Sequence, residues 1–542
     1  MSHSSIKVIE IFPSHSEDYN NKIDKNMTNN SLNSFGRAGL YLTVFLTGAS
    51  VMVIELLGTR MIAPFYGASL YVWSSLISVT MIALAMGYFI GGLWADRAKR
   101  TGLSLIIALA AVFTLLIPWV TRLVLLATDP LGLRAGAFVS ALVLFSPSLT
   151  MLGMVGPFAI KMSTLRLDGV GSSAGSIYAV STVGSVVGTL LLGFFLFPLI
   201  GSREILIGLG ISLLILAIVV AIYEQKQLGV TIAILPSVLL AIMAACLLPK
   251  VVSAGHAYTG GKNFQILSER ESLYGWVRVI EEQSRDLRFL TSDASMIGAA
   301  NISNGKNRLG YQEMVSLMPA LAPKMSRALI IGLGAGHMAK TLHDRYGIVT
   351  DTLEIDPAVA DAASKYFGFK PTGQAIVGDA RYEIGHLKGP YDLIIHDCFT
   401  GGSEPAHLLT VETLAQLRGL LSNDGILALN FVAFSSDKNA ALSSVSRTIE
   451  QVFPHQSVFI AEPGEDYNDF IFLMANRPID LTSKSLLPDQ VAWLQNRIYT
   501  VNKNQGVLLT DNLNPLEHLQ TQKAEHYRHV LADWFGADIL VR

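Results

Sequence analysis

Leu329-Ile330-Ile331-Gly332-Leu333-Gly334-Ala335-Gly336 is an apolar strand that runs into a glycine turn, and about 22 residues after Gly332 a second strand, Leu353-Glu354-Ile355-Asp356-Pro357, ends in acids. In open α/β sheets, such glycines let the backbone approach an adenosine-containing ligand, and the carboxylate accepts hydrogen bonds from both ribose hydroxyls. The pattern therefore predicts a Rossmann-like adenosyl-binding domain. The ligand contacts are expected at Gly332, Gly334, Gly336, Glu354 and Asp356.

The composition of the chain differs from that of ordinary soluble proteins. The 542 residues are 51% apolar and 15% charged, and the mean hydropathy is +0.43. Only Arg122, Asp129 and Arg134 are ionised between positions 104 and 160, whereas charges recur throughout the sequence after Lys250. The net charge of -2 provides no general attraction to nucleic acid, so no nucleic-acid partner is expected.

Seven apolar runs are long enough to span a bilayer, which takes about 20 helical residues. Small-residue spacings such as Gly184-Ser185-Val186-Val187-Gly188 would let such helices approach closely. We predict a bundle of about seven transmembrane helices over residues 39–250, after a disordered polar tail at 1–38 that lacks the apolar core of a signal peptide. The seven runs are Leu40–Leu57, Leu70–Trp94, Leu103–Ala127, Ala135–Ile160, Ala174–Ile200, Ile205–Tyr223 and Val230–Leu248.

The sequence leaves open the side of the membrane on which the C-terminal half lies. Arg97, Lys99 and Arg100 crowd the second connection, and Lys161 and Arg166 lie in the fourth, which predicts that these connections and the tail are cytoplasmic. Seven spans would then place the C-terminal domain outside, away from cytosolic adenosyl substrates. Either the count is wrong by one, the charge bias misleads, or the domain faces out. We expect a multi-pass inner-membrane protein and favour a cytoplasmic catalytic domain.

The pattern changes at about His256 to that of a globular α/β domain. Short strands at Phe264–Leu267, Gly275–Glu281 and Leu287–Leu290 predict a β-rich lead-in over residues 256–320. Strands and helices then alternate over residues 321–542, which predicts a parallel, doubly wound sheet. The predicted strands are Ala328–Ile331, Asp351–Ile355, Gln374–Val377, Leu393–His396 and Ile426–Phe431, and helices are predicted from about His337, at Pro357–Tyr366 and at Val411–Leu421.

Acids follow three consecutive predicted strands at the point where each strand ends. Glu354 follows the second strand, Asp379 follows the third and is succeeded by Ala380, and Asp397 follows the fourth. Ligands of open α/β sheets bind at these ends, so the three acids predict one convergent site. Asp379 and Asp397 are also candidates for simple helix caps, a role that Asp takes readily.

Motifs between about Tyr274 and Leu516, nearly half of the chain, resemble the spermidine synthase-like family, whose members use S-adenosylmethionine or its decarboxylated form. The whole chain resembles the membrane-fused branch of that family, in which a helical bundle precedes the synthase-like domain. Residues 87–97 fit that branch and also resemble transporter loops. The motifs are Tyr274-Gly275, Tyr311-Gln312-Glu313, the glycine turn, Glu354-Ile355-Asp356-Pro357, Gly378-Asp379-Ala380, Asp397, and Leu509-Thr510-Asp511-Asn512 with Pro515.

The resemblance implies a role for each site residue. Glu354 would hold the ribose, Asp379 would contact the adenine amino group, and Asp397 would face the reacting centre together with Tyr274 and Tyr311. In the soluble synthases the acid at this position helps to remove a proton from the attacking amine. A carboxylate suits that task because it accepts the proton and stabilises nearby positive charge. No cofactor is implied beyond the adenosyl substrate.

The part of the site that would hold a polyamine departs from the family pattern. Soluble synthases carry Asp-x-x-Asp where this chain ends the motif with Thr400, and Asp-Glu where it has Arg308-Leu309. Their Gln after the first hairpin has no counterpart in the stretch 291–295. A buried ammonium needs such partners, and Arg308 would repel a diamine. The adenosyl half of the predicted site is therefore intact and the polyamine half is degraded.

Several other ionisable residues have a structural interpretation that competes with a functional one. His396 is interpreted mainly as a packed histidine, whereas His407 is equally compatible with both roles. Glu55 and Arg122 lie in or beside apolar spans, where charge is costly, although Glu55 is close enough to Arg60 to pair with it. No histidines have HExxH-type spacing, and the two cysteines form no CxxC motif, so no metal is expected.

Three functions follow from these patterns. The first is a membrane-bound enzyme that acts on S-adenosylmethionine or its decarboxylated form, releases 5′-methylthioadenosine, and works as an intramolecular lyase with a homoserine lactone product. The second is aminopropyl transfer to putrescine or another amine, and the lyase is slightly preferred because polyamine-binding acids are missing. The third is a transporter or channel with a ligand-sensing C-terminal domain. The expected partners are the lipid bilayer, the adenosyl substrate and an amine acceptor, and a homo-oligomer is left open.

Overall fold

The computed structural model describes residues 34–67, 69–97, 102–164, 169–197, 199–228, 256–259, 262–322, 325–399, 402–482 and 485–536. Six long helices form the N-terminal half of the described chain. They are α1 (Ser34–Tyr66), α2 (Leu70–Arg97), α3 (Leu103–Thr128), α4 (Gly132–Ser163), α5 (Val170–Leu190, continued by a π-helical turn at Leu191–Leu196) and α6 (Ser202–Leu228).

Each of these helices coincides with one of the predicted apolar runs and extends beyond it at one or both ends. Helix α1 begins at Ser34, ahead of the boundary expected at residue 39, because helical structure continues past the apolar run that marks the helix in the sequence. The seventh predicted run, Val230–Leu248, lies outside the described residues.

Five segments of the described chain are long and apolar enough to cross a membrane. One of them, Leu103–Ser163, is 61 residues long and contains both α3 and α4. It folds back on itself at Asp129–Leu131, so that the Thr114 and Ser148 hydroxyls of the two helices lie 2.6 Å apart. The predicted count of about seven spans is thus not confirmed by the described residues.

Small residues set a close helix contact in the bundle, as the Gly184–Gly188 spacing predicts. A Cβ atom at Gly184 would lie 2.1 Å from the Phe45 carbonyl oxygen, and one at Gly188 would lie 2.9 Å from the Ala49 Cα. Helices α1 and α5 therefore pack backbone to backbone, which only glycine permits at these two positions.

The lead-in is a five-stranded antiparallel sheet in the order β1-β2-β3-β4-β5. Three of its strands were predicted: β2 and β4 are longer than expected, and β3 is shifted by one residue from the expected Gly275–Glu281. The first and last were not, because neither β1 nor β5 has a distinctive alternation of apolar and polar residues. The strands are β1 (His256–Thr259), β2 (Lys262–Glu271), β3 (Trp276–Glu282), β4 (Leu287–Ser292) and β5 (Ser295–Asn301).

The second sheet has seven strands in the order β11-β12-β10-β9-β6-β7-β8. Strands β6 to β10 are parallel, as predicted, but β11 and β12 are antiparallel additions that the sequence analysis missed. The order reverses at β6, so the crevice between β6 and β9 is the expected ligand site. The strands are β6 (Arg327–Ile331), β7 (Val349–Glu354), β8 (Ala375–Val377), β9 (Tyr391–His396), β10 (Leu421–Phe434), β11 (His455–Ile460) and β12 (Tyr467–Ala475).

Helices connect and flank the strands of this sheet. The predicted helices from about His337, at Pro357–Tyr366 and at Val411–Leu421 are present with ends shifted by a residue or so. The remaining helices are short or lie near the C-terminus. They are α7 (Tyr311–Val315), α8 (His337–Tyr346), α9 (Pro357–Phe367), α10 (Ala380–Ile384), α11 (Val411–Leu420), α12 (Ala441–Val452), α13 (Pro488–Gln495), α14 (Leu516–Leu519) and α15 (Thr521–Phe535).

One end of the bundle is docked on the C-terminal half. The Leu70 amide donates to Glu517 (2.8 Å), and the Ser202 amide donates to Glu271 (2.7 Å). Helix α15 contributes Arg528, which bonds Asp129. Apolar residues of α15 and of the lead-in sheet belong to the same buried cluster as the helices. The two halves therefore share one continuous core.

The basic connections of the bundle lie at its other end. Helices α2 and α4 both begin beside the C-terminal half, so their ends, at about 1.5 Å per residue, lie roughly 40 Å away. There Lys161 meets Asp96 at 3.2 Å, next to Arg97. The helix directions thus separate the C-terminal half from the connections that carry Arg97 and Lys161.

Candidate active site

The glycine turn after β6 is fixed by contacts within the protein. Gly332 and Gly334 have φ values of 91° and 53°, in the region that favours glycine. A Cβ at Gly332 would lie 2.2 Å from the Asp397 carbonyl oxygen, and one at Gly334 would lie 2.4 Å from that of Ile297. The third glycine, Gly336, precedes α8 with a φ of 76°. These glycines therefore hold the turn against β9 and the lead-in sheet.

Glu354 lies at the end of β7 beside this turn. Its two carboxylate oxygens accept the amide hydrogens of Leu333 and Asp356, each at 3.0 Å. Burial raises the pKa of Glu354, and the two backbone hydrogen bonds oppose that shift. A carboxylate has about four acceptor positions, so about two remain for the hydroxyl pair of a ribose.

Asp356 serves the architecture next to Glu354. It is 2% exposed, caps α9 by accepting the Ala358 amide at 2.8 Å, and accepts the Ser272 hydroxyl at 2.6 Å. Ser272 belongs to the β2–β3 turn, where its hydroxyl also accepts the Tyr274 amide at 3.0 Å. The Tyr274 side chain is 46% exposed. Both carboxylate oxygens of Asp356 are thus already bonded within the protein. Through Ser272, which also bonds Asp356, the backbone of Tyr274 is held near the end of β7.

Asp379 follows β8 and caps the short helix α10, of which Ala380 is the first residue. One oxygen, Oδ1, accepts both the Arg381 amide (2.7 Å) and the Tyr382 amide (3.3 Å). The residue is exposed. The capping interpretation is therefore correct, and it is compatible with adenine binding because a carboxylate has a second oxygen.

Asp397 follows β9 and is held by two side chains from other elements. The Tyr311 hydroxyl donates to Oδ2 at 2.6 Å and the Asn430 amide donates to Oδ1 at 3.0 Å. Burial raises the pKa of Asp397, while these two bonds lower it. Burial, followed by the Asp397 charge, holds the pKa of Tyr311 well above its usual value. Asp397 and Tyr311 thus form one hydrogen-bonded unit.

The acids from separate strand ends converge around Cys398. Burial raises the pKa of the Cys398 thiol, and the carboxylates of Glu354, Asp397, Glu404 and Asp379 raise it further, in that order. A thiol senses such charges only at short range. The three predicted acids thus follow the carboxyl ends of β7, β8 and β9 in one sheet, and Glu404, which was not predicted, is a fourth acid that acts on the same thiol.

Glu404 forms a buried ion pair with Lys523 of α15. The two side chains are 2% and 4% exposed. Glu404 also accepts the Val432 amide at 2.8 Å, and the Lys523 ammonium lies 5.4 and 5.0 Å from the rings of Phe399 and Phe431. The residues are 119 positions apart, and no sequence pattern connects them.

Asn430 and Asp469 complete the polar residues near Asp397. Burial raises the pKa of Asp469 to about 7, and the charges of Asp397 and Glu404 contribute to the shift. Asn430 interrupts the apolar strand that was predicted at Ile426–Phe431, and this interruption is a signal that could have identified it. Asp469 is the third residue of β12. This strand runs antiparallel to β10, so its start lies at the edge where the parallel strands end.

Two histidines have distinct settings. His396 is fully buried, and burial lowers its pKa to about 4. The interpretation of His396 as a packed histidine is therefore confirmed by its burial. His407 lines a cavity of about 570 Å³ together with Tyr66, Tyr71 and Glu404, at the junction between the bundle and the catalytic half.

We expect Glu354→Gln to weaken binding of S-adenosylhomocysteine by about tenfold or more, because a charged acceptor for two hydroxyls is replaced by a neutral one of similar shape. Calorimetric titration of the full-length protein measures this change. Asp361→Asn, on the exposed face of α9, is the matched control and should retain wild-type affinity. Equal affinity of Glu354→Gln and wild type would remove Glu354 from the ligand site.

Comparison with known proteins identifies transferases as relatives. The chain is 30% identical over 384 residues to an N-terminal histidine N-methyltransferase of Emericella nidulans, covering 64% of this chain and 66% of the relative, just under two thirds of its length. It is 34% identical over 240 residues to a polyamine aminopropyltransferase of Vibrio vulnificus, covering 42% of this chain and 76% of the relative.

We also compared the chain with solved structures and with models of protein families. A probable spermidine synthase from Corynebacterium glutamicum aligns with 22% identity and a TM-score of 0.37, over 40% of this chain and 83% of that one. No family model matches the chain.

Proposed function

The chain belongs to the spermidine synthase-like family, and on that premise we propose that it is a transferase that moves an alkyl group from an S-adenosyl sulfonium donor to a nitrogen acceptor. The observation that carries the proposal is the position of Glu354, Asp379 and Asp397 at the carboxyl ends of three parallel strands, β7, β8 and β9, of one sheet. Glu354 and Asp379 would hold the nucleoside. Asp397, aligned by Tyr311 and Asn430, would face the acceptor.

In the proposed reaction the nitrogen lone pair attacks the carbon attached to the sulfonium. A C–N bond forms, the C–S bond breaks, and its electron pair neutralises the sulfur. A protonated acceptor must first lose a proton, and Asp397 is placed to take it. Burial raises the pKa of Asp397, which makes it a better base than an exposed aspartate.

Methyl transfer is the form that we propose first. The Asp-x-x-Asp pair of the soluble synthases is incomplete here because Thr400 replaces the second acid, which disfavours a diamine acceptor. The match to the N-terminal histidine N-methyltransferase covers more of the chain than the part that follows residue 255. We therefore propose a nitrogen of a polypeptide or a related small molecule as acceptor.

Aminopropyl transfer is the second candidate, favoured by the higher identity to the Vibrio vulnificus aminopropyltransferase. The lyase reaction that the sequence analysis preferred has no support among these relatives, both of which are transferases by name. The acid-rich acceptor side also favours transfer over a reaction that needs no second substrate.

The nucleoside product separates the three reactions. Purified full-length protein would be incubated with S-adenosylmethionine or its decarboxylated form, each with histidinamide, putrescine or no acceptor, and analysed by mass spectrometry. We expect S-adenosylhomocysteine and methylated histidinamide. Methylthioadenosine with an aminopropylated amine would instead indicate the second candidate. Acceptor-independent homoserine lactone would restore the lyase.

We also propose that the bundle lies in a bilayer with the catalytic half on the non-cytoplasmic side. The outward faces of the helices carry exposed apolar side chains such as Phe89 (71%), Leu123 (72%) and Phe194 (73%). The basic connections lie at the end away from the catalytic half, and the positive-inside rule assigns that end to the cytoplasm. At the near end, Arg60 is engaged by the Ser272 and Leu273 carbonyls.

Cysteine labelling tests this orientation. In a background carrying Cys246→Ser and Cys398→Ser, we would introduce Asp489→Cys on α13 or Ser172→Cys at the far end of the bundle, and treat intact cells with a membrane-impermeant maleimide. We expect labelling of the first variant and labelling of the second only after lysis. The reverse pattern would place the catalytic half in the cytoplasm, as the sequence analysis favoured.

A further inference from the structure

Asp469 lies two residues along β10 from the level of Asp397, across three adjacent strands. Strand β10 separates β9 from β12, and the register pairs Leu429 with His396 on one side and Val432 with Asp469 on the other. Asn430 lies between the two acids, on the same face of β10 as Val432, because side chains alternate along a strand. The Asp397–Asn430 bond (3.0 Å) fixes one side of this row.

Asn430 itself lacks a partner on its acceptor side. It is 8% exposed, and within the described part of the chain its Oδ1 atom has no hydrogen-bond partner. A buried acceptor without a donor costs about 1–3 kcal/mol unless something supplies an N–H or O–H. The row therefore offers an amide oxygen between two carboxylates, which is the arrangement that an N–H-bearing cation requires.

The charged groups around Asp469 carry an excess of negative charge, which also favours a cation. Among the described residues, the charges that act on Asp469 are two further carboxylates, Asp397 and Glu404, and the Lys523 ammonium. Lys523 is already bonded to Glu404. A second positive charge would stabilise the remaining pair of acids, whereas without one, burial favours the protonated form of a carboxyl group.

We propose that Asp469, Asn430 and Asp397 form the binding site for a protonated nitrogen of the acceptor substrate, an alkylammonium or imidazolium group. Asp469 would thus supply a negative charge on the acceptor side from a different strand than the missing second acid of the Asp-x-x-Asp pair. This inference rests on the proposed function, which it deepens by naming the chemical class of the acceptor. Asp469 binds the acceptor, and Asp397 takes the proton.

The test measures binding of acceptor probes without turnover. Full-length protein saturated with S-adenosylhomocysteine would be titrated calorimetrically with putrescine and with histidinamide. We expect Asp469→Asn to weaken both probes by about tenfold or more, the usual loss when a hydrogen bond to a charged group is removed. Asp469→Glu should recover part of the affinity, and Asp489→Asn, an exposed carboxylate on α13, should match wild type. S-Adenosylhomocysteine affinity should be equal in all four proteins.

The pH dependence gives a second readout. Putrescine stays protonated near neutral pH because alkylammonium groups have pKa values of about 10. Since the pKa of Asp469 is raised to about 7 by burial, its carboxylate is lost as pH falls through 7, and putrescine affinity should fall with it. Asp469→Asn should flatten this profile. The other titratable groups around Asp469 are unchanged in that variant and serve as the background. They are Asp397, Glu404, Lys523, Tyr311, Tyr467, Tyr527 and His526, whose ring centre lies 4.8 Å from that of Tyr467.

The failures are distinguishable. If wild type binds S-adenosylhomocysteine and both probes, but Asp469→Asn binds the probes equally well with an unchanged pH profile, Asp469 is only a buried structural acid. If wild type binds the nucleoside and neither probe, the pocket does not take a protonated nitrogen. If wild type does not bind the nucleoside, the proposed function fails first.

Discussion

Asp397→Asn is expected to lower kcat by about 100-fold or more while leaving affinity for S-adenosylhomocysteine within about twofold of wild type. The substitution preserves shape but removes both proton acceptance and a negative charge facing the sulfonium. A lost general base or electrostatic stabiliser typically reduces turnover by 10²–10⁴. Because the charge acts mainly in the transition state, kcat should fall without a matching loss of binding.

Single-turnover release of the nucleoside product, followed beside calorimetric affinity, measures the two quantities separately. Asp392→Asn is a useful control, since Asp392 is at the opposite end of β9, where it accepts the Ser326 amide at 2.9 Å. The kcat of Tyr311→Phe should lie between those of Asp397→Asn and Asp392→Asn, because this substitution removes one hydrogen bond from Asp397 and leaves its charge. Wild-type turnover in Asp397→Asn would reduce Asp397 to a structural residue even if the adenosyl site is correct.

Lys523→Met is expected to destabilise the catalytic half by about 3–5 kcal/mol, because it leaves the Glu404 carboxylate buried without its partner. For a unit of this size the thermal midpoint should fall by about 6–10 °C at about 2 °C per kcal/mol. Differential scanning of the detergent-solubilised full chain at one scan rate measures the shift.

The double variant Glu404→Gln, Lys523→Met is the matched control and should regain most of the lost thermal midpoint, since no buried charge remains.

The stability deficit of Lys523→Met should depend on pH with a defined sign. Burial raises the pKa of Glu404, and loss of Lys523 removes the charge that opposes this shift. Protonated Glu404 is favoured in the folded state, so the deficit of Lys523→Met should shrink as pH falls towards 5 and grow as pH rises. A deficit of the same size in single and double variants would mean that Lys523 acts through packing alone.

The positions of the glycine turn and of the acids proposed to bind the nucleoside could be predicted from the sequence because each of these parts is local. The glycine turn follows its strand directly, and Glu354, Asp379 and Asp397 each come at the end of an apolar strand. Parallel strands bring their carboxyl ends to one edge, so three separate positions in the sequence imply one place in the fold. The same locality explains why six of the apolar runs coincide with the observed helices.

The sequence by itself thus determined the class of fold and the acids that lie at the carboxyl edge of the parallel strands, where we propose that the ligand binds. Tertiary structure alone decided which groups surround Asp397, because Tyr311, Asn430, Glu404, Asp469 and Lys523 come from elements far apart in the chain. Strand β12 runs against its neighbours, so its first residues, rather than its last, reach the ligand edge. Helix direction likewise decided which end of the bundle faces the catalytic half. Such relations depend on strand order and helix packing, which no local spacing of residues encodes.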